Sequence, residues 1–491
     1  MNEQEILNII EQTNARGFFK PTWESLMQAR VPDWFRQRRL GIFTHWGVYS
    51  VPAYSNEWYS RNMYIPGSPA YEHHIKTYGA QKNFGYKDFI PMFTAEKFDA
   101  ESWIDLFCRA GAGYIFPVAE HHDGFQMYGS CLSEWNAVKM GPRRDVLREL
   151  KQAAEARGMV FCTSSHRAEH WFFMGHGREF DSDIHEPMAK GDFYWPAMPE
   201  ADNQDLFGKP YPSEEFLNDW LARTAEIILN YQPALLYFDW WIQHEAFKPY
   251  LRKLSAFYYN CGRQWGRDVM ICYKHDAMMF GSGIPEIERG GFAEAKPYPW
   301  QTDTAVARNS WCYTDSLDYK NSREIICTLA DTVSKGGNLL LNIGPRADGS
   351  IPDGDRKILE DMSRWMQVNG EAVNGTCVWR RSTEGSVSIR EGQFQDGCEL
   401  QYTSADYRFT AGHGAIYAIA MKCPDGGHFT IKTFADSRNQ NLPEFHGIIR
   451  DVKILGFEDA PVRWSRDSLG LHVTADEVYS DFPVVLKITT D

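Results

Sequence analysis

The amino-acid sequence predicts an α/β protein in which a (β/α)8-like TIM barrel is followed by a C-terminal antiparallel β-sandwich. The chain has 491 residues, which is long for one ordinary domain and fits a large domain with a smaller companion. From about residue 40 to 345, short apolar runs alternate with longer amphipathic stretches, as in parallel strands joined by helices. From residue 376 to 491, short alternating runs are separated by Gly, Pro, Asp and Asn, which favours antiparallel strands. We therefore predict a barrel over residues 1–370 and a sandwich over residues 376–491.

The first part of the chain contains six apolar runs that we predict as barrel strands. They lie at residues 40–46, 114–119, 159–164, 234–239, 269–274 and 338–343. Amphipathic stretches predict helices at residues 100–110, 144–157, 213–231 and 353–368. Six strands over about 300 residues favour an eight-stranded barrel with irregular units over a short doubly wound sheet. No glycine-rich dinucleotide fingerprint follows the first strand. In the C-terminal part, the strand candidates are residues 386–389, 415–421, 448–455 and 484–488.

Charge and cysteine usage narrow the classes of partner and compartment. The chain carries 51 Lys and Arg against 65 Asp and Glu, a formal net charge of −14, which disfavours nucleic acid and anionic lipid surfaces. No stretch of about 18 apolar residues predicts a membrane span, and the acidic N-terminus is unlike a secretory signal. The ten cysteines are scattered singly, which predicts free thiols and a cytoplasmic protein. A secreted or periplasmic location is the alternative if a signal peptide has been removed.

Ionisable side chains collect where the predicted barrel strands end. In such a barrel, the C-terminal ends of the strands carry the catalytic groups. A barrel does not need such a ring of charges for stability, and burying it costs free energy unless a polar ligand satisfies it. The residues in question are His45, His121, His122, His166, Asp239 and Lys274.

Asp239 is the most informative of these residues, because it ends an apolar run rich in aromatic rings. A carboxylate in this position suits the nucleophile of a retaining glycosidase. That mechanism needs a second carboxyl group about 5–5.5 Å away as acid and base. Glu286 and Glu288, which we predict in a loop after the fifth strand, are the candidates.

Seven short motifs then occur in one order along the chain. They lie at residues 39–47, 56–59, 121–125, 141–145, 236–239, 300–303 and 337–345. In this order they resemble the α-L-fucosidases of glycoside hydrolase family 29, and the resemblance extends from residue 34 to about 369. It implies that residues 1–370 are a catalytic domain and that the protein is a retaining, exo-acting α-L-fucosidase. The substrate would be a small molecule or oligosaccharide with a terminal α-L-fucosyl residue, and no cofactor or metal is implied.

The resemblance also implies roles for individual residues. Asp239 would be the nucleophile, and Glu288 is preferred over Glu286 as acid and base. The predicted substrate-binding set comprises His45, Glu57, Trp58, His121, His122, His166, Tyr237 and Lys274.

Three positions depart from the common family pattern. Glu120 replaces the Lys before the histidine pair, Lys274 replaces an Arg, and a Tyr-rich strand end reads Ser164-Ser165-His166. These departures indicate an outlying branch and make α-L-galactosidase activity the alternative on the same scaffold.

Two other classes and the oligomeric state stay open at this level. A metal-dependent hydrolase would use His45, His121, His122, Asp123 and His166 as ligands. Against it, adjacent histidines in an extended strand would point to opposite sides. A sugar-binding protein without activity would not need Asp239 or the glutamates. The sequence leaves open whether the chain forms a homo-oligomer.

Overall fold

The computed structural model describes residues 1–202, 204–437, 439 and 441–491. Its first sheet is a closed parallel barrel, since β1 pairs with both β2 and β9. The barrel has eight strand positions built from nine segments, because the third position is interrupted between β3 and β4. The segments are β1 Leu40–Thr44, β2 Tyr114–Glu120, β3 Val160–Phe161, β4 Thr163–Ser165, β5 Leu235–Phe238, β6 Met270–Tyr273, β7 Ile284–Glu288, β8 Trp300–Ala305 and β9 Gly337–Ile343.

All six predicted barrel strands are present, and the sequence missed β7 and β8. Both missed strands carry polar or charged side chains and β7 contains Pro285, so neither is a continuous apolar run. The placement of Glu286 and Glu288 in a loop was therefore wrong. Both residues belong to β7, which is hydrogen-bonded into the barrel on both sides.

Twelve α-helices surround the barrel or join its parts within the described residues. The four predicted helices correspond to α6, α7, α9 and α12. Side-chain caps fix several starts: the Ser213 hydroxyl accepts from Phe216 N before α9, and Asn321 accepts from Glu324 N before α11. The helices are α1 Glu3–Arg16, α2 Trp23–Leu26, α3 Asp33–Gln37, α4 Tyr59–Asn62, α5 Pro69–Tyr78, α6 Ala100–Arg109, α7 Val146–Ala156, α8 His170–Phe173, α9 Glu214–Tyr231, α10 Lys248–Gln264, α11 Ser322–Ser334 and α12 Asp353–Asn369. None of them is long and apolar enough to cross a membrane.

The C-terminal part forms two antiparallel sheets, which confirms the predicted β-sandwich class. One sheet has the order β10-β11-β12-β17-β14 and the other β13-β16-β15. The predicted strand at 386–389 was wrong: this segment stays irregular, and Val387 N donates to Asp406 instead of to a neighbouring strand. The strands are β10 Cys377–Glu384, β11 Tyr407–Gly412, β12 Ala415–Ala420, β13 His428–Ile431, β14 Ile449–Ile454, β15 Arg463–Asp467, β16 Gly470–Thr474 and β17 Val484–Thr490.

The hydrophobic core continues from the barrel into the first C-terminal sheet. Tyr417 of β12 and Val485 of β17 belong to the same buried cluster as the barrel helices, whereas Phe409 and Leu486 belong to a second cluster between the two sheets. The division at residues 370 to 376 therefore stays a prediction. Many of the aromatic residues are core residues; Trp171, Trp220 and Trp300 are fully buried.

Candidate active site

A cavity of about 210 Å³ opens at the C-terminal ends of the barrel strands. Every residue of the predicted site lines this cavity except Glu286. The structure thus brings together side chains that are spread over more than half of the chain. The lining residues are His45, Glu57, Trp58, His121, His122, His166, Tyr237, Asp239, Trp240, Lys274, Glu288, Asp303, Trp311 and Phe394.

Asp239 lies at the end of β5 and is held by three nitrogen atoms. Lys274 Nζ donates to its Oδ1 at 2.9 Å, and His166 Nδ1 lies 3.1 Å from Oδ2. His122 Nε2 lies 3.5 Å from the same Oδ2. Burial alone raises the pKa of Asp239, but Lys274 and the two imidazoles outweigh it and hold the pKa well below its usual range. Asp239 is therefore an ionised carboxylate, the state that a nucleophile needs.

Lys274 connects Asp239 to Glu288. Its Nζ also donates to Glu288 Oε2 at 2.7 Å, and Trp240 Nε1 donates to the same oxygen at 3.1 Å. Because one ammonium bonds both carboxylates, their oxygens are no farther apart than these two hydrogen bonds laid end to end. This geometry agrees with the spacing of about 5–5.5 Å in retaining glycosidases and is shorter than the spacing of about 6.5–9.5 Å in inverting enzymes.

Glu286 lies deeper in the barrel and does not line the cavity. It accepts a hydrogen bond from Gln301 Nε2 at 2.8 Å, and its Oε1 is buried without a partner among the described residues. Burial and the neighbouring Asp303 raise the pKa of Glu286 well above its usual value. Burial thus favours the protonated form of this side chain beneath the site, and the structure separates the two candidate glutamates by position.

Three histidines of the cavity are neutral. His45 Nδ1 lies 2.7 Å from Asn342 Oδ1 on β9, which orients the ring. Burial lowers the pKa of His45 and His121 well below the usual value and that of His166 to about 4. A neutral imidazole has one donor and one acceptor nitrogen, so it can bond a sugar hydroxyl in either sense. His121 Nδ1 is buried and has no protein partner within the described residues, which leaves it free for a ligand.

His122 differs from the other histidines because it is positively charged. Burial opposes the charge, but Glu169 and Asp239 raise its pKa to about 9. Glu169 Oε2 lies 3.6 Å from His122 Nδ1, which also lies 2.9 Å from the carbonyl oxygen of His166. The second cation beside Asp239 therefore comes from the histidine pair.

One argument from the sequence was wrong. His121 and His122 do not point to opposite sides, because β2 ends at Glu120 and the pair follows the strand. Both residues line the cavity, and their ring centroids are 4.3 Å apart. Ligand nitrogens of His45, His121 and His166 lie within 4.8 Å of one another. Yet both nitrogens of His166 already have partners, Asp239 and Ser164, so this ring offers no free lone pair to a metal in this arrangement.

Glu57 and Trp58 reach the cavity from the loop before α4. Glu57 Oε2 accepts from Trp311 N at 3.0 Å, and burial raises its pKa. Trp58 packs its ring edge-to-face on His122 and Phe173. This side of the cavity presents an acceptor carboxyl beside an apolar ring, which suits a sugar with both hydroxyls and a methyl group.

Sequence reasoning missed four residues of the cavity wall. Asp303 on β8 accepts from Tyr237 Oη at 2.8 Å and lies 3.8 Å from Lys274 Nζ. It stands in one of the motifs quoted above, so a signal existed, but the sequence gave it no role. Trp240 directly follows Asp239, whereas Trp311 and Phe394 come from loops with no local signal.

The unusual Glu120 serves a buried ion network behind the site. Arg167 Nη1 donates to Glu120 Oε1 at 2.6 Å, and Arg223 Nη1 donates to it at 3.1 Å. Asp219 accepts from the Nε atoms of both arginines. The departure from the family pattern at Glu120 is therefore matched by two arginines and does not alter the cavity wall.

The comparisons with known proteins agree with this geometry. The family model described as alpha-L-fucosidase matches residues 6–371. The plasma alpha-L-fucosidase of Homo sapiens is 31% identical over 425 residues, covering 83% of this chain and 80% of the relative. That of Pongo abelii is 30% identical over 468 residues, covering 91% and 86%.

Solved structures extend the match to the C-terminal sheets. The crystal structure of the Thermotoga maritima alpha-fucosidase aligns with a TM-score of 0.73 at 28% identity, covering 96% of this chain and 100% of that one. Its complex with fucose aligns with a TM-score of 0.72 over the same shares. On the matched family model, the relatives and the barrel site together, this chain belongs to the α-L-fucosidase family and is a glycoside hydrolase.

Proposed function

We propose that Asp239 and Glu288 carry out the retaining hydrolysis of terminal α-L-fucosyl residues in this cavity. The observation that carries the proposal is the Lys274 ammonium, which bonds both carboxylates at 2.9 and 2.7 Å. It keeps the two groups at the short spacing that double displacement requires.

In the first step, a carboxylate oxygen of Asp239 attacks the anomeric carbon of the fucosyl ring. The bond from that carbon to the leaving oxygen breaks, and Glu288 gives its proton to this oxygen. In the second step, Glu288 removes a proton from water, which attacks the same carbon and releases Asp239. Two inversions return fucose with its original anomeric configuration.

The remaining lining residues position the sugar. His45 and His121 are neutral and His122 is charged, so the ring of imidazoles offers donors and acceptors to several hydroxyls. The cavity of about 210 Å³ is smaller than the pockets of about 300–1,000 Å³ that hold drug-sized ligands. It therefore suits one terminal sugar ring, with the rest of a glycan outside, and the action is exo.

Hydrolysis of paired aryl glycosides tests this proposal. We expect the purified protein to cleave an aryl α-L-fucoside faster than the matching α-L-galactoside, and the first-formed anomer to be α-L-fucose by proton NMR. A β-anomer formed first would contradict retention. A preference for the galactoside would support the α-L-galactosidase alternative instead.

The second candidate is a metal-dependent hydrolase, because ligand atoms of His45, His121 and His166 lie within 4.8 Å of one another, although both nitrogens of His166 are already hydrogen-bonded. The same aryl fucoside assay after extended dialysis against a chelator separates the two. We expect full activity to remain, since protein carboxylates supply the nucleophile and the acid. Loss of activity that added zinc restores would favour the metal site.

We also propose that the protein works in a reducing compartment. All ten cysteines are free thiols, and Cys131, Cys377 and Cys398 are exposed. Thiols on the protein surface become oxidised in compartments outside the cytoplasm. Fractionation of cells that produce the protein from its own gene tests this; activity recovered outside the cytoplasmic fraction would contradict it.

A further inference from the structure

An exposed aromatic ring stands at the mouth of the cavity and has no role in the proposal above. Phe394 lies in the irregular segment between β10 and β11, and its side chain lines the cavity although the residue is 53% exposed. Its ring centroid lies 6.3 Å from that of Trp240, with an angle of 33° between the planes. Trp240 in turn donates to Glu288. Trp240 therefore contacts the carboxyl group that protonates the leaving oxygen, and Phe394 lies beside Trp240.

The segment that carries Phe394 is fixed to the end of β7. Phe394 N donates to the carbonyl oxygen of Glu288 at 2.9 Å, and Gln395 N donates to that of Arg289 at 2.7 Å. Gly392 and Gly291 exchange two further backbone hydrogen bonds of 3.0 and 3.2 Å. Residues 392–395 thus pair with the end of β7 and the residues that follow it, so the backbone that carries the ring has a defined position.

Side-chain contacts of Asp396, two residues after Phe394, also hold the segment on the barrel. Asp396 bonds Lys320, forms an ion pair of 3.4 Å with Arg289, and accepts from Thr304 Oγ1. Lys320 and Thr304 are both buried. Residues 392–396 are therefore anchored on the barrel from both sides of Phe394.

The backbone of Phe394 is strained for a side chain of its kind. Its φ is +53°, in the left-handed region that a non-glycine residue enters at a cost in free energy. The residue is about half exposed, so burial of its side chain returns little of that cost. Strained residues held by their surroundings concentrate at ligand sites, and Phe394 and Trp240 together place two neighbouring aromatic rings in the cavity wall.

We propose that Phe394 and Trp240 bind the leaving group, as a stacking surface for the sugar ring to which the fucosyl residue is attached. A pyranose ring has a flat face of C–H groups that packs on aromatic rings. The exposed His275 packs on Trp240, with its ring centroid 4.4 Å from that of Trp240. This inference rests on the proposed function, because the leaving group is placed by the role of Glu288.

Three substrates that differ in the leaving group test the proposal. α-L-Fucosyl fluoride has no ring there, an aryl α-L-fucoside has a flat ring, and an α-L-fucosyl-galactose disaccharide has a sugar ring. We expect Phe394→Ala to lower kcat/KM for the two ring-bearing substrates about three- to tenfold more than for the fluoride. Phe394→Tyr keeps the ring and is expected to restore the wild-type ratio.

Phe18→Ala is the matched control. Phe18 is also 53% exposed, and the Arg263 guanidinium lies 4.6 Å from its ring at the end of α10 that leads to the start of β6. This is the opposite end of the barrel, so its loss should not change the ratio between substrates.

Two results would overturn the proposal. One is an equal loss on all three substrates in Phe394→Ala, and the other is a loss confined to the aryl fucoside, which would exclude a sugar ring as the natural occupant. If the wild-type protein hydrolyses none of the three, the proposed function itself fails. Hydrolysis by the wild type with an unchanged ratio in Phe394→Ala removes this inference alone.

Discussion

At the scale of the residue, the position along one strand distinguishes the two candidate glutamates, because Glu288 lines the cavity and Glu286 does not. Glu286 and Glu288 are two residues apart on β7, so their side chains point to the same face of the strand. Only their depth differs: Glu288 meets Lys274 and Trp240 at the open end of the barrel, and Glu286 meets Gln301 below it. Asp239 was predictable because an aromatic apolar run ends there. The spacing of residues along the sequence does not show how deep in the barrel a side chain lies.

Chemical rescue tests this assignment at the same scale. In Glu288→Ala, an aryl fucoside with a good leaving group should form the glycosyl-enzyme, but its hydrolysis should be slow because the base is missing. Azide is small and already anionic, so it should restore turnover and yield an α-fucosyl azide. Glu286→Gln is the control that keeps an acceptor for Gln301, and it should show no rescue. Rescue in Glu286→Gln alone would reverse the two roles.

Asp303 provides a prediction about pH. Burial and Glu288 raise its pKa to about 7, although Lys274 opposes them, whereas an unfolded Asp has a pKa of about 3.9. The folded state therefore binds the extra proton between these values, and this group makes the protein lose stability as pH rises from about 4 to about 7. Asp303→Asn cannot titrate. We expect urea unfolding to show a smaller loss between pH 4.5 and 7.5 in the variant, and equal losses would contradict it.

At the scale of the element, the sequence predicts the barrel strands that are apolar and misses two that carry acidic side chains within the strand. β7 and β8 contain Glu286, Glu288 and Asp303 on their inner face, and the polar groups remove the hydrophobic pattern by which a buried parallel strand is recognised. The third strand position was predicted as one apolar run, although the structure divides it into β3 and β4. The family motif at residues 300–303 lies on β8, but the resemblance assigned no role to Asp303.

The ion network behind β2 and α9 leads to a prediction about the free energy of unfolding. Arg167 is 2% exposed and bonds both Glu120 and Asp219. Arg167→Met leaves two buried carboxylates with one arginine, so we expect a loss of about 3–5 kcal/mol in the free energy of unfolding. Arg463→Met removes an exposed partner of Asp476 and should cost less than about 1 kcal/mol. Similar unfolding midpoints in urea for the two variants would contradict the role of the network.

At the scale of the whole molecule, the C-terminal sheets pack against the helices of the barrel. Trp365 of α12 donates to the carbonyl oxygen of Pro483 at 2.8 Å, and Arg408 of β11 forms a buried ion pair with Asp331 of α11. The short alternating runs after residue 376 predicted a β-sandwich after the barrel. It could not predict that residues 392–396 return to the cavity, because that contact joins segments far apart in the chain and leaves no local pattern.

A shortened chain tests this dependence. A protein ending at residue 375 would expose the parts of α11 and α12 where Cys327 contacts Met421 and Trp365 contacts Pro483, and it would leave Asp331 without Arg408. We expect it to aggregate or to elute as an expanded species in size-exclusion chromatography. A compact monomer with wild-type kcat on an aryl fucoside would show that the barrel is independent of the sheets.

In the proposed mechanism Asp239 forms a covalent bond to the sugar, and trapping that bond tests the mechanism. A 2-deoxy-2-fluoro-L-fucosyl fluoride slows both steps but keeps a good leaving group, so the glycosyl-enzyme should accumulate. Mass spectrometry of the digested protein should then find one added fluorofucosyl group, on Asp239 in the peptide after β5. A label on Glu288, Glu286 or Asp303, or turnover to the inverted anomer without any label, would contradict the account.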